Sequence, residues 1–527
     1  MAASASSVIE FPAAARAESP WWRPTFADLL VLALLTWTFL LSSSGALELV
    51  GDANTGMHIR TGDLIRQTGA VPQTDPYSFS LAGQPWFAWE WLTAVTYSLL
   101  NGAFGLPGVS LLSIAVLGAA FAVTTRTMAR TGGVALVVVP LVFFAFRASS
   151  LHFLARPHLF TWLFLALTVA LIEADRRKAS GNVWYLVPLS LLWTNMHGGF
   201  LTMPVYLGLV TVGLGLERHW SQAKRYAMLA AATGAVTLIN PYGWAVHRHI
   251  WETLNSKWLA QMVQEFQPPW AMPMPDERVY LFYAIGALAV VAAAGLVAAR
   301  RFVEPMLIAF FLYAATRSVR HVPIFLIATL PAVAAYYSSL WLRAVAGASR
   351  KSSLAIIDEL SRDITPQLRS LSPIGLALFV LSLAVPGHFG MPLDFSPEKF
   401  PTALIATHSS ELRQSRLMTH DGWADYLIFH GYPEQKVWID GRNDFFGPKF
   451  GEEYFALLDA EPQTAAILER WRFDAILIKP STKLAVWLKS QPAWEEQARD
   501  KSAVLFRRRV LYSPPTHPQE RAKHPAV

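Results

Sequence analysis

The long polar stretch at residues 51–91 carries the side chains best suited to chemistry. It contains Asp52, His58 and Glu90, and it lies between two apolar segments. Ionisable groups at membrane depth are costly and usually mark a functional cavity. Asp52 directly follows the first apolar segment, so it could act as a general base or as a ligand of a divalent cation. The alternative is that Asp52 only caps a surface helix over 55–68, because Asp side chains satisfy the free N–H groups of a first turn.

His58 and Glu90 are candidates for contacts with a substrate in the same cavity. His58 lies on the predicted helix, and Glu90 stands in the aromatic run 85–92. Each also has a simpler interpretation. Side chains on a helical surface are often only solvated, and Trp-rich runs occur at membrane interfaces without a catalytic role.

Two clusters of basic residues could bind a phosphate. Guanidinium groups hold phosphate in a bidentate grip, and two clusters at one cavity would suit a diphosphate or a monophosphate ester. The alternative is that these long side chains reach lipid head groups. A histidine in the polar break at 195–199 is a further candidate, unless it is only a hinge residue with a local partner. The residues are Arg147, Arg156 and His158, then Arg317, Arg320 and His321, and in the break His197.

The composition is that of a membrane protein. The 527 residues are 53% hydrophobic and 15% charged, whereas soluble domains carry about 25% charged residues. The chain has no cysteine, which excludes disulfides, thiolate catalysis and Cys-bound zinc. The net charge of +7 comes mostly from short loops. It therefore indicates topology and attraction to membrane lipids, and no nucleic-acid partner is expected.

Apolar runs of about 17–25 residues can cross the hydrocarbon core of a bilayer. The sequence has about eleven apolar runs, several of them shorter than this, so we expect a membrane domain over 26–389 with an outer loop at 47–105 and a cytoplasmic segment at 1–25. The runs are 26–46, 106–125, 132–148, 158–174, 183–196, 199–216, 226–241, 279–299, 304–317, 321–343 and 372–388.

The basic loops set the expected orientation. Alternate threading places the loops at 126–130, 175–178 and 300–301 in the cytoplasm only if residues 86–105 do not span the membrane. Residues 86–105 are then a helix that lies along the outer surface or re-enters it. The candidate site residues consequently fall on the outer side of a bacterial plasma membrane.

Residues 390–512 have normal charge content and no spanning run. Short strand-like and helical pieces alternate there, which predicts a small α/β domain outside the membrane. Three charged residues lie at the C-terminal end of one predicted strand, either as ligand-binding residues or as a tight turn held by an Asp/Arg pair. They are Asp440, Arg442 and Asp444. Residues 513–527 are predicted to be a disordered tail. The predicted strands are 416–419, 436–440, 474–478 and 503–506, and the predicted helices are 401–413, 422–430, 449–459 and 462–472.

The first loop resembles that of the GT-C superfamily of polytopic glycosyltransferases. In that superfamily an acid follows the first membrane helix, and the second of two surface helices begins with a WL pair and ends near an FG. Asp52, Trp91-Leu92 and Phe104-Gly105 stand in matching positions. The resemblance implies about eleven to thirteen spans, an extracytoplasmic domain and an inverting sugar transfer.

The sequence thus predicts an α-helical polytopic membrane protein with a C-terminal extracytoplasmic α/β domain that acts as a glycosyltransferase. The expected donor is a polyprenyl-phosphate sugar, because no nucleotide-binding motif is visible. Asp52 would deprotonate the acceptor or help hold a divalent cation, and the arginines would bind the leaving phosphate. The acceptor stays open. The alternatives are a non-enzymatic transporter or flippase of lipid-linked sugars, which needs no base, and a polymerase or ligase of envelope polysaccharide.

Overall fold

The computed structural model of the protein describes residues 22–42, 45–274, 276–349, 351–370, 372–384 and 391–509. Most of the predicted N-terminal segment and the whole predicted tail at 513–527 lie outside the described residues. The chain divides into two compact units. The first comprises the described residues of Met1–Pro76, Ala82–Ser396 and Asn443–Gly447, and the second those of Tyr77–Leu81, Pro397–Arg442 and Pro448–Val527. The predicted domain boundary after residue 389 stays a prediction.

The first unit is helical. Each predicted apolar run overlaps one of its helices, because long runs of apolar residues in a bilayer satisfy their backbone groups within the helix. The helices are α1 (Phe26–Thr36), α2 (Asn54–Thr68), α3 (Trp91–Arg130), α4 (Ala135–Ser149), α5 (His158–Arg177), α6 (Leu186–Met196), α7 (Thr202–Leu216), α8 (Trp220–Val236), α9 (Trp244–Leu254), α10 (Lys257–Met262), α11 (Glu277–Ala298), α12 (Val303–Arg317), α13 (Val322–Ala346), α14 (Ser353–Leu368) and α15 (Pro373–Leu383).

Six helical stretches among the described residues are long and apolar enough to cross a membrane, or seven if α14 and α15, bent by 77°, count as one span. The stretches are Trp91–Arg130, Ala135–His152, His158–Arg177, Gly198–Leu216, Glu277–Ala298 and Val319–Ala346. Helices α6, α8 and α12 have 11, 17 and 15 residues and are shorter than a usual span. The protein is therefore multi-pass, and the expected total of about eleven spans stays a prediction.

The two helices expected along the surface are present. Helix α2 covers the predicted segment 55–68. Helix α3 begins at Trp91 and kinks at Gly105, which has a φ of 67° and is followed closely by Pro107. A positive φ favours glycine, because it lacks a Cβ. The predicted end of the second surface helix at Phe104-Gly105 is thus confirmed, and the span continues from the kink to Arg130.

Helices α2 and α3 touch backbone to backbone. A Cβ built on Gly62 would lie 2.0 Å from the carbonyl oxygen of Ala94, so only glycine fits there. One turn further along, the Ser98 hydroxyl donates to Asp63 at 2.6 Å and accepts from Arg66 at 3.0 Å. This close approach fixes the start of α3 against the middle of α2.

The loops that were predicted to be cytoplasmic meet at one end of the unit. The Arg177 guanidinium at the end of α5 donates to the carbonyl oxygen of Arg130, where α3 ends. Its neighbour Arg176 donates to Glu304 at the start of α12 at 2.9 Å. Because α5 has 20 residues, this end lies about 30 Å from the link between α4 and α5.

The second unit contains a small mixed sheet among helices. The strand order is β1-β2-β4-β3, with β1 parallel to β2 and the other two pairs antiparallel. All four side chains of the central β2 are buried. The elements are α16 (Thr402–Thr407), α17 (Ser409–Arg413), β1 (Leu417–Thr419), α18 (Asp421–Gly431), α19 (Asn443–Leu458, whose first five residues belong to the first unit), α20 (Thr464–Trp471), β2 (Ala475–Ile478), α21 (Lys483–Lys489), β3 (Trp494–Arg499) and β4 (Val504–Arg508).

One strand prediction was wrong, and one strand was missed. Residues 436–440 are not a strand, and only Val437 forms an isolated bridge, with Ser78. Arg442 donates to both carboxylate oxygens of Asp440, at 2.8 and 2.6 Å, so the local Asp/Arg pair of the second interpretation is present. Strand β3 (Trp494–Arg499) escaped prediction because it lies at the sheet edge and is mostly exposed and polar.

Candidate active site

Asp52 stands two residues before the start of α2. Its Oδ1 accepts from the backbone N–H of Asn54, the first residue of the helix, at 2.9 Å. Its Oδ2 faces the guanidinium of Arg156 and accepts from Nη1 at 3.1 Å. The side chain is 29% exposed. The carboxylate is thus held in a fixed orientation while one side stays open to a ligand.

Arg156 comes from the link between α4 and α5, which is tied to the Asp52 segment. The N–H of Ala155 donates to Leu49 O at 2.7 Å, and Thr55 Oγ1 donates to Ala155 O at 2.8 Å. Burial would lower the pKa of Arg156, but the neighbouring carboxylates, Glu265 first, raise its pKa, so the guanidinium stays charged. Among the described residues no partner is found for its Nε and Nη2, and this edge of the fork is available.

Glu265 is the second carboxylate on Arg156. Its Oε1 accepts from the same Nη1 nitrogen that Asp52 uses. The Ser318 hydroxyl donates to the Glu265 carbonyl at 2.9 Å, and Arg320 lies over the ring of Phe266 at 4.6 Å. Burial would raise the pKa of Glu265, but Arg156 above all lowers it to about 2. Glu265 is therefore ionised, and it is anchored to the link between α12 and α13.

Glu90 lies between two histidines at the start of α3. Its Oε2 is 3.3 Å from His58 Nε2 and its Oε1 is 3.4 Å from His197 Nε2. Burial raises the pKa of Glu90 to about 7, although Arg156 opposes that shift. Burial, with Arg156 adding to it, lowers the pKa of His58 to about 3. The carboxyl group thus changes charge near neutral pH while His58 stays neutral.

Hydrogen bonds set the tautomer of His197. Its Nδ1 accepts from the backbone N–H of Gly199 at 3.0 Å and lies 2.7 Å from the Thr161 hydroxyl. Thr161 Oγ1 in turn accepts from Trp193 Nε1 at 2.8 Å. Burial, then Arg320, lowers the pKa of His197 well below its usual value. A neutral ring whose Nδ1 is an acceptor carries its proton on Nε2, so His197 donates toward Glu90.

The structure brings together Asp52, His58, Glu90, Arg156, His197 and Arg320 of the predicted site. Arg320 Nε lies 3.8 Å from Glu265 Oε2. His158 is close by, with Nε2 at 2.9 Å from the carbonyl oxygen of His152. His321 is adjacent to Arg320, and its Nδ1 is buried with no hydrogen-bond partner among the described residues.

Two predicted residues lie apart from this group. Arg147 donates to Glu277 from both Nε, at 2.8 Å, and Nη2. Arg317 is exposed and forms no salt bridge with the residues that the structure describes. Both were predicted because an arginine stands near the end of an apolar run. That position does not determine the direction in which the side chain points.

Two groups at the site were not among the predicted residues. Glu265 lies between α10 and α11, and only its isolation as an acid in the segment QEFQPPW indicated a role. His152 Nε2 lies 4.0 Å from Glu265 Oε2. The only indication in the sequence was that His152 lies four residues before Arg156, between the apolar runs 132–148 and 158–174.

A divalent cation does not fit Asp52 in this arrangement. Among the residues that the structure describes, no group of three or more His, Asp or Glu side chains could hold a metal ion. Both Asp52 oxygens already accept hydrogen bonds, and the charged guanidinium of Arg156 occupies the space that its carboxylate shares with Glu265.

Comparison of the sequence with known proteins finds no family model and no curated protein that matches. Solved structures do match in fold. AglB, the archaeal oligosaccharyltransferase of Archaeoglobus fulgidus, in complex with an inhibitory peptide and a dolichol-phosphate, matches 86% of this chain and 69% of its own, with a TM-score of 0.58 and 10% identity. The same enzyme tethered to an acceptor peptide containing the NVT sequon gives a TM-score of 0.55 at 10% identity, over 86% of this chain and 68% of its own.

ArnT from Cupriavidus metallidurans, bound to undecaprenyl phosphate, matches 91% of this chain and 96% of its own, with a TM-score of 0.43 and 13% identity. The AglB matches show the fold of the chain, which it shares with this archaeal oligosaccharyltransferase. They agree with the polytopic helical fold that the resemblance of the first loop implied.

Proposed function

We propose that the protein is a membrane glycosyltransferase that transfers a sugar from a polyprenyl-phosphate-linked donor to an envelope acceptor on the outer face of the bacterial plasma membrane. The observation that carries this proposal is the Asp52–Arg156 pair. A partly exposed carboxylate lies 3.1 Å from a guanidinium nitrogen, and the other edge of that guanidinium has no partner among the described residues. A carboxylate base beside a guanidinium group with unused N–H donors suits a reaction in which a phosphate is the leaving group.

We expect the Nε and Nη2 edge of the Arg156 guanidinium to bind the phosphate. Nε–H and Nη2–H of a guanidinium point in parallel and match two oxygens of a phosphate. Arg320 is the second cation, since its guanidinium lies against the same Glu265 carboxylate. Hydrogen-bond donors that point at the charge developing on a leaving group lower the transition-state free energy most in a site that excludes water.

The transfer step follows from these positions. Asp52 takes the proton from an acceptor hydroxyl, and the oxygen attacks the anomeric carbon of the donor sugar. The bond from that carbon to the phosphate oxygen breaks, and its electron pair stays on the phosphate, which Arg156 and Arg320 stabilise. A single displacement of this kind inverts the configuration at the anomeric carbon.

The membrane face is assigned from the basic loops. The contacts of Arg130, Arg176 and Arg177 gather these loops at the end of the helices opposite to Arg156. Lys and Arg in short loops favour the cytoplasmic side, which supports an outer-face location for the site. The AglB fold supports a lipid-linked phosphate as donor, because that protein was solved with a dolichol-phosphate.

The deciding experiment compares wild type with Asp52→Asn in a radiolabelled-sugar transfer assay on membrane extracts, together with thermal stabilisation of the purified proteins by polyprenyl-phosphate sugars. We expect turnover to fall by about 10²–10⁴-fold, which is the usual contribution of a general base. The ligand should still stabilise the variant, because its arginines are intact.

The matched control is Asp63→Asn on α2. Asp63 accepts from Ser98 at 2.6 Å and from Arg60 at 3.0 Å. An asparagine oxygen can still accept from Ser98, so this variant should keep its turnover. If Asp52→Asn binds the donor and wild-type membranes transfer no label, the protein is a transporter of lipid-linked sugars. If both proteins transfer label equally, Asp52 is not the base.

A further inference from the structure

Two carboxylates of the candidate site converge on one nitrogen. Nη1 of Arg156 donates to Asp52 Oδ2 at 3.1 Å and also to Glu265 Oε1. The two acids come from chain segments more than two hundred residues apart, one before α2 and the other between α10 and α11. Carboxylate pairs that are brought together in this way repel each other unless a cation lies between them.

The oxygens around Arg156 are the kind that a hard divalent cation prefers. Asp52 and Glu265 each offer a carboxylate. Two such carboxylates would attract Mg²⁺ or Mn²⁺ if the central position were free. It is filled by a side chain that cannot lose its proton in a protein, and Arg320 adds a second positive charge 3.8 Å from Glu265.

Arg156 is also held firmly in this position. The backbone of the preceding residue, Ala155, makes two hydrogen bonds. Its N–H donates to the Leu49 carbonyl at 2.7 Å, and its carbonyl accepts from the Thr55 hydroxyl at 2.8 Å. The guanidinium therefore belongs to the framework of the site and does not need a ligand to order it. Its Nε and Nη2 remain for a substrate, as far as the described residues show.

We infer that Arg156 is the resident cation of the site, that it occupies the place of a divalent metal ion between Asp52 and Glu265, and that sugar transfer proceeds without an added metal. The second part of this inference rests on the proposed glycosyltransferase function. The first part concerns only the ability of these side chains to bind a cation, so it can be tested without any turnover.

The binding experiment measures Mn²⁺ by electron paramagnetic resonance on detergent-purified full-length protein. Removal of the positive charge in Arg156→Gln should create a site for one Mn²⁺ per chain, whereas wild type and Arg156→Lys should bind none under the same conditions. The double variant Arg156→Gln/Glu265→Gln should bind Mn²⁺ about 10- to 100-fold more weakly than the single variant, because it lacks one ligand.

Thermal unfolding establishes that each variant is folded, and Arg156→Ala serves if Arg156→Gln is not. The inference is overturned if wild type binds Mn²⁺ as tightly as the folded glutamine or alanine variant. It is equally overturned if a folded variant that lacks the arginine binds no Mn²⁺, since the carboxylates would then not form a cation site.

The activity experiment adds EDTA to wild-type membranes in the sugar-transfer assay. We expect the rate to be unchanged after chelation and after readdition of Mg²⁺ or Mn²⁺. Loss of transfer in EDTA with recovery on Mn²⁺ would refute the metal-independent reaction while leaving the glycosyltransferase proposal intact. Absence of transfer under every condition would refute the glycosyltransferase instead, and the Mn²⁺ measurement would still decide the role of Arg156.

Discussion

A cluster of acidic and basic side chains lies near each end of helix α5, and the two clusters are built differently. Near its end, Asp175 accepts four hydrogen bonds: from Arg225 Nε and Nη2, from the Tyr226 hydroxyl and from the N–H of Ser180. Its side chain is 1% exposed. About 25 Å away along the helix, Asp52 accepts from one backbone N–H and one arginine nitrogen.

The difference lies in how fully each carboxylate is satisfied. Both oxygens of Asp175 have two donors each, so a further ligand would have to displace an existing partner. Asp52 has one donor on each oxygen, and Arg156 keeps an unused edge among the described residues. A saturated cluster stabilises the fold, whereas a cluster with spare donors and acceptors can bind and release a substrate.

The largest effect should come from breaking the saturated cluster. Asp175→Ala leaves Arg225 and Tyr226 without their partner, and loss of one member of a buried charge pair is strongly destabilising. Arg225 is 29% exposed, so water compensates part of the loss and we expect about 3 kcal/mol. Thermal and denaturant unfolding in detergent measure this change. Transfer per folded molecule should be unchanged.

Asp52→Ala is the paired variant for this comparison. It removes the hydrogen bond to the backbone N–H of Asn54, which costs about 1 kcal/mol, and it should abolish transfer. If Asp52→Ala destabilises the protein as strongly as Asp175→Ala, the distinction between a structural and a functional cluster is incorrect.

A somewhat smaller effect is expected where α2 meets α3, because this contact positions the functional cluster. Gly62→Ala would place a methyl group 2.0 Å from the backbone oxygen of Ala94, and backbone cannot give way as a side chain can. We expect a loss of about 2–3 kcal/mol and a fall in transfer, since His58 would move away from Glu90. Unfolding and transfer assays measure both.

The control is Gly102→Ala on α3. The nearest atom to its added Cβ is Arg66 Nη1 at 3.9 Å, an ordinary contact, and alanine favours helix over glycine. This variant should be as stable as wild type or slightly more stable. If Gly62→Ala is as stable as Gly102→Ala, the α2–α3 contact tolerates a larger separation.

Much of the helical unit could be predicted from the sequence, because hydrophobic length and turn chemistry are local signals. Helix α2 was predicted from polar residues that could cap it, whereas the end of the second surface helix at Phe104-Gly105 was implied by the resemblance. In the second unit, residues 436–440 look like a strand by composition, yet they find no neighbouring strand to extend the pairing. Strand pairing depends on partners far away in the chain, which local propensity cannot identify.

The site was predictable in its residue types but not in its pairings. Asp52, Glu90 and Arg156 stood out because charged groups are rare in such a sequence. One nitrogen of Arg156 donates to both Asp52 and Glu265. This arrangement depends on how three loops converge, which residue spacing in the sequence does not predict. Arg147 and Arg317 had the same compositional signal and proved to lie elsewhere.

The smallest effect we expect concerns the pH dependence of the Glu90 cluster. The pKa of Glu90 is raised by burial to about 7 in the folded protein, against an ordinary value of 4.5. Below pH 4.5 the carboxyl group is protonated in both states and contributes no pH dependence. Between 4.5 and 7 the unfolded chain binds fewer protons than the folded one, so the contribution of Glu90 to stability falls as the pH rises.

His58 and His197 act in the opposite direction, since burial lowers the pKa of both. Their contribution to stability grows as the pH rises and is complete above the ordinary histidine pKa of 6.5. The informative quantity is therefore the difference in unfolding free energy between wild type and Glu90→Gln. Glutamine cannot ionise, so wild type should lose about 1–2 kcal/mol relative to the variant between pH 5 and pH 8.

Glu252→Gln is the control for this series, because Glu252 is exposed on α9 and its replacement should leave the difference flat with pH. A flat difference for Glu90→Gln as well would mean that water or Arg156 keeps Glu90 ionised in the folded protein throughout. The group between the two histidines would then be a permanent anion, and the functional cluster would resemble the saturated one at the other end of α5.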